Sequence, residues 1–124
     1  MTDSQTAFRA VLIASTPVTT LVPAMRIYQP WYPANPTFPL ICFTETDNFN
    51  TSDDFFDGAT KTDHMEVECH VFTAPNTSTY TIASAVDSAL KTAGWNRDFA
   101  QSLPDPGNYG HRVMRYSKRS TLTL

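Results

Sequence analysis

From His64 to Val71 the chain alternates without a break. Met65, Val67, Cys69 and Val71 are apolar, and His64, Glu66, Glu68 and His70 between them are polar. Only an extended strand separates two such sets cleanly, because successive side chains of a strand point to opposite faces of its sheet. The spacing predicts a strand over 62–73, with one face on a core and the other on water or a partner. The rest of the chain must then supply strands to flank it and a layer to cover its apolar face.

The covering layer is readable as helices. Asp3 or Ser4 can cap a first helix, whose apolar face carries Ala7, Phe8, Val11 and Leu12. Pro17 opens a second, short helical turn with Val18, Leu21 and Val22, and Pro23 ends it. After the turn residues Ala74 to Ser78, the positions Ile82, Val86, Ala89, Leu90 and Ala93 repeat at helical spacing, and Gly94 follows where a helix-terminating glycine belongs.

Flanking strands are read at three further places. Met25 to Gln29 suits a short strand. Leu40 to Thr46 suits a strand buried on both faces. Tyr109 to Leu124 is strand-like with imperfect alternation: Arg115, Ser117, Arg119 and Thr121 share one face, Met114, Tyr116, Leu122 and Leu124 the other. Residues 95–103 are ambiguous and can include a short strand. Residues 47–60 read as a polar loop holding Phe49, Phe55 and Phe56 among acids.

Pro30, Pro33, Pro36 and Pro39 recur every third residue. Polyproline II has three residues per turn, so this span reads as an extended arm with its prolines along one side. One use is as a ligand for an aromatic groove. The plainer use, which we favour, is a stiff connector whose Trp31, Tyr32 and Phe38 pack on the domain or a neighbour.

The order of elements predicts an α+β fold: an antiparallel or mixed β-sheet of about four strands packed against two main helices. The 124 residues fit a single domain spanning 1–124. At 41% hydrophobic and 17% charged the chain is globular in composition and able to bury a core without staples. The polar start Met1 to Gln5 lacks a basic segment, so no secretory signal is expected, and no apolar run is long enough to cross a membrane. Cys42 and Cys69 sit in apolar runs without metal spacing, which fits synthesis in a reducing compartment, with a disulfide between them as the alternative if their strands are neighbours.

Evidence for chemistry is thin. His64, Glu66, Glu68 and His70 share a strand face and carry ligand-type side chains, but same-face residues lie roughly 6.5–7 Å apart, so adjacent pairs and not all four can meet one ion. Asp53 and Asp54 form a carboxylate pair in a loop. His111 has no evident nucleophile partner. There is no nucleotide-binding glycine loop and no nucleophile elbow. The chain reads as neither an enzyme nor a cofactor protein.

Charge is more informative. The net charge is -3, which disfavours coating of nucleic acid. Acids concentrate between Glu45 and Glu68, and bases concentrate at Arg112, Arg115, Lys118 and Arg119. The acidic-aromatic set Phe49, Asp53, Asp54, Phe55 and Phe56 and these four bases are the candidate interface residues. Opposite charges of this kind set register and specificity between partners.

The full order of signals resembles a known family. A first helix leads to Val18–Val22. Arg26-Ile27-Tyr28 and the proline span follow, then Phe38-Pro39-Leu40-Ile41-Cys42-Phe43. After a loop come Val67-Glu68-Cys69-His70-Val71-Phe72, a helix over Ile82–Leu90, and Gly110-His111-Arg112-Val113-Met114-Arg115-Tyr116. This order is similar to the tail-completion (tail-terminator) proteins of long-tailed bacteriophages. Lys118 to Leu124 departs from it by extending the last strand.

The resemblance implies a structural virion protein at the head-proximal end of the tail, assembled in the bacterial cytoplasm. It implies a homo-oligomeric ring, usually a hexamer, that caps the tail tube protein, ends tube elongation and meets the head-side connector, with DNA passing through its channel. It implies no catalytic residue, cofactor, metal or membrane. The alternatives are another neck component such as a head-completion protein, a small metal-binding enzyme using His64 and Glu66, and a peptide-like ligand acting through Pro30–Pro39.

Overall fold

The computed structural model describes residues 3–51 and 60–123. Helix α1 spans Ser4–Ala14 and α2 spans Thr16–Leu21. The strands are β1 (Ile27–Tyr28), β2 (Leu40–Thr51) and β3 (Thr60–Pro75), then, after helix α3 (Tyr80–Thr92), β4 (Asn96–Ser102) and β5 (Tyr109–Thr123). The fold is α+β, with one mixed five-stranded sheet among the described residues, in the order β1-β2-β3-β5-β4. β1 runs parallel to β2, and every other pairing is antiparallel.

The ends of the helices follow from local chemistry. Asp3 accepts the Thr6 amide at 3.0 Å and so caps α1. Ser15 accepts the Val18 amide and caps α2, placing Pro17 in the first turn. α3 ends in a paired hydrogen-bond stop: the Gly94 amide reaches the Lys91 carbonyl and the Trp95 amide reaches the Leu90 carbonyl. Gly94 adopts φ +92, which a side chain would resist, and this turn drops Trp95 onto the core beside Leu90.

Two apolar clusters lie on opposite faces of the sheet. The larger joins α1, α2 and α3 to Ile41, Phe43, Met65, Val67, Cys69, Val71, Met114 and Tyr116. Phe8 is its hub, with ring centroids 5.2 Å from Phe43, 5.2 Å from Trp95 and 6.0 Å from Tyr116. Burying one such side chain stabilises by about 1.5–3 kcal/mol. The smaller cluster, Leu40, Cys42 and Phe72, lies on the other face under Tyr28, Tyr32 and Phe38. Strand β2 is therefore apolar on both sides where the sequence predicts it.

The expected α+β class holds: among the described residues the ambiguous segment 95–103 supplies edge strand β4, and the short turn at Pro17 is helix α2 beside the two main helices. Two expectations need correction. β2 continues to Thr51 instead of yielding to a loop at residue 47, held by its ladder to β3; the remainder of the expected loop, residues 52–59, lies outside the described residues. The proline span is not one continuous polyproline helix, because Asn35 takes φ +57 and bends it. Its role as a connector holds: Tyr32 and Phe38 pack against the smaller cluster. Cys42 and Cys69 are free and buried, on adjacent strands but in opposite clusters.

Candidate functional site

β2, β3 and β5 are longer than the strands outside them. β1 pairs only with Ile41 and Cys42 of β2, and β4 pairs with β5 only from Arg112 to Ser117. The three central strands thus continue as a ribbon beyond the five-stranded body. The helices bury one face of the sheet, and the opposite face carries the polar residues of the alternating segment. Phe49, Glu66, Glu68, Arg115 and Arg119 lie on that opposite face, which is aromatic where the proline arm folds over it and charged along the ribbon.

A chain of side-chain contacts crosses this face. Asp105 Oδ1 lies 3.1 Å from His111 Nδ1, and His111 Nε2 lies 2.8 Å from His70 Nδ1. His70 Nε2 lies 2.8 Å from Glu68 Oε1, and Arg115 Nε donates to Glu68 Oε2 at 3.1 Å. Burial pushes His70 below the ordinary imidazole range, against the pull of Glu68. Burial alone would raise Glu68, but hydrogen bonds from His70 and Arg115 outweigh it and hold its carboxyl low. Trp31 stands edge-on to His70 at 5.2 Å, and Phe72 stacks on His111 at 4.1 Å. The β3–β5 register supplies the partner for His111 that the sequence alone did not reveal, by setting it beside Phe72 and within reach of His70.

The candidate interface residues fall into three groups. Phe49, on β2, is 41% exposed and lies 4.7 Å from the His64 ring. Asp53, Asp54, Phe55 and Phe56 lie outside the described residues. The four bases divide between the two faces of β5. Arg115 and Arg119 point to the outer face, where Arg115 also sits 5.0 Å over the Phe99 ring. Arg112 donates to Ser102 at 3.1 Å, and Lys118 donates to the Ala93 carbonyl at 2.8 Å on the helix side.

The acidic segment contributes parts of β2 and β3, and β3 lies beside β5, which carries the bases. Arg115 and Glu68 consequently pair within the subunit.

The metal alternative gains no geometry. His64 contacts Glu66 at 3.2 Å and His70 contacts Glu68, so each imidazole is engaged by its own strand neighbour. Among the described residues no three ligand-type side chains converge. Burial raises the Cys42 thiol to about 12 and drives Cys69 higher still, which leaves both far from the thiolate form a nucleophile needs. No helix of the structure is long and apolar enough to cross a membrane, among the described residues.

The family model described as tail completion protein gp17 matches residues 6–119, from the first turn of α1 into the ribbon part of β5. No curated protein matches the chain.

Proposed function

Because the chain belongs to the phage tail-completion family described as tail completion protein gp17, we propose that it is a tail terminator, a ring that caps the tail tube and ends its growth. The family is structural, so the role is in the virion tail and not in catalysis. In this reading six copies close the ring, one rim binds the last layer of tube protein, and the other receives the head-side connector. DNA crosses the channel without sequence-specific contacts, in keeping with a net charge of -3.

One observation carries the reading. The family match takes in the helix layer, the sheet and most of the ribbon together, so it covers the whole domain and not one borrowed motif. The exposed Phe49 in an acidic stretch supports a role at an interface, since aromatic anchors dominate binding energy where they are desolvated.

The test uses purified protein and the tube protein of the same phage. Negative-stain images should show rings of the protein alone. Added to growing tubes, it should stop elongation and leave a capped end. Tubes that lengthen at an unchanged rate in its presence would overturn the proposal.

A further inference from the structure

The geometry points to strand pairing between copies as the contact that closes the ring: the outer edge of β5 in one subunit, Lys118–Thr123, adds to the outer edge of β2 in the next, Phe43–Thr51. This inference rests on the ring assembly proposed above and names its interface.

Among the described residues, both edges lie beyond the last in-chain partner strand. β1 stops at the pair Tyr28–Cys42, and β4 stops at the pair Asn96–Ser117. Beyond those points each edge turns its outward backbone groups away from the sheet, and a strand edge of that kind is a template for another strand. The two edges lie on opposite sides of the same ribbon, so joining one to the other repeats the same step from copy to copy. That is a heterologous contact, and it closes into a ring when the rotation permits.

Charge selects this pairing over its rivals. The β2 edge carries Glu45 and Asp47, and the β5 edge carries Lys118 and Arg119. Two β2 edges would oppose acid with acid, and two β5 edges base with base, which disfavours the symmetric dimers. β5 against β2 brings opposite charges together.

Register follows from the sheet itself. Both strands are antiparallel to β3 and therefore parallel to each other. Phe49 and Arg119 both pair with His64, and Asp47 and Ser117 both pair with Glu66. Copies related by rotation alone keep these levels when the strands follow the ring axis. Arg119 then faces Phe49 of the neighbour and lies diagonal to its Asp47 on the same face, within reach of a long side chain. Tilt of the strands slides the pairing, and a two-residue slide sets Arg119 directly opposite Asp47.

Cysteine cross-linking tests the inference. Within one subunit, positions 49 and 119 are two strand spacings apart, about 10 Å, beyond the roughly 7 Å limit for a disulfide. Only neighbouring copies can bridge them. The native thiols at Cys42 and Cys69 are buried and do not compete. Under mild oxidation, the double variant Phe49→Cys with Arg119→Cys, or Asp47→Cys with Arg119→Cys for the two-residue slide, should give a covalent ladder that ends at the ring size. Each single variant should give nothing above a dimer. Circular dichroism confirms the fold of each variant. Rings seen by negative stain without a ladder in either double variant would overturn the strand pairing and leave the ring proposal standing. Absence of both rings and ladders for folded protein would overturn both.

Discussion

His70 and His111 meet across β3 and β5, with Nδ1 of the first 2.8 Å from Nε2 of the second. Their outer nitrogens face Glu68 and Asp105. The two rings therefore form one connected run between the two carboxylates. Burial lowers His70 and favours its neutral form.

This arrangement predicts acid sensitivity. The folded value of His70 lies below its ordinary 6.5. As pH falls through about 6.5, the unfolded chain takes up that proton before the folded one, so stability declines. Glu68 is also lowered from 4.5 in the folded state, so its contribution is present above that value and is lost as pH falls through it. Both groups act in the same direction. Thermal melts followed by circular dichroism should show Tm falling from pH 7 to pH 5, and His70→Gln should flatten the upper part of that slope. An equal slope in the variant would refute the assignment.

Phe72 is the floor on which the proline arm rests. It meets Trp31 at 5.6 Å, Tyr32 at 5.2 Å and His111 at 4.1 Å, and is 3% exposed. Phe72→Ala should cost about 3–5 kcal/mol in denaturant unfolding. It should also speed proteolysis between Pro30 and Pro39 under native conditions. Trp31→Ala, which removes a half-exposed side chain, should produce the second effect with a smaller loss of stability. If arm cleavage is unchanged in both variants, the arm is held by other contacts.

The sequence made local features legible and left non-local ones dark. The alternation at Met65–Val71 gave β3 directly, and helical spacing with Gly94 gave α3, because both signals depend only on near neighbours. The extension of β2 through Asp47–Thr51 was not readable. All its residues but Phe49 are polar, a bulge between Glu45 and Asp47 breaks the period, and the ladder to β3 holds it. β4 hid for similar reasons, as an edge strand with a bulge between Arg97 and Phe99. The His70–His111 contact depends on the register of two strands separated by α3 and β4, which no local pattern encodes. The division of the four bases between two faces was legible from parity, whereas the in-chain partner of Arg115 was not.

Tyr116 links the sheet to α3. Its hydroxyl donates to Asp87 Oδ1 at 3.0 Å from a fully buried ring, and Asp87 also pairs with Lys91 at 3.0 Å and Arg97 at 3.4 Å. Tyr116→Phe keeps the packing and removes one hydrogen bond to a charged acceptor, so it should cost about 1.5–3 kcal/mol. Because Asp87 retains its two cations, the loss should lie near the lower end. Urea unfolding should show a shifted midpoint with an unchanged slope. A changed slope would mean that the variant alters more than this bond.

Phe55 and Phe56 fall within residues 52–59, outside the described residues, yet their sequence context makes them the strongest candidates for an anchor on the tube protein. Replacing 52–59 with Asn-Gly leaves Asn-Gly-Thr60-Lys61 as a four-residue connection between the paired Thr51 and Thr62, a length that hairpins use. The variant should still form rings and should lose binding to tube ends in a pull-down with assembled tubes. Retained binding would assign the anchor to another surface, with Phe49 the next to test.

Arg119 lies at the level of the proposed contact, so it is the charge with which to probe assembly. Arg115→Glu would place a second carboxylate against Glu68 of its own subunit, so any loss of rings would be confounded with loss of stability. Arg119 is exposed and lies at the β5 edge level with Phe49. Arg119→Glu should weaken ring formation by about tenfold or more at low salt, because a carboxylate then lies near Asp47 of the neighbour, and a melting curve of the variant separates this from any loss of fold. Adding Asp47→Lys should restore assembly by reversing both signs. Wild-type rings should also weaken as salt rises, since exposed charges are screened over about 10 Å at 0.1 M. Mass photometry of the three proteins across a salt series measures all of these. Rings of equal stability in wild type and Arg119→Glu would remove Arg119 from the interface, and failure of the double variant to recover would separate Arg119 from Asp47.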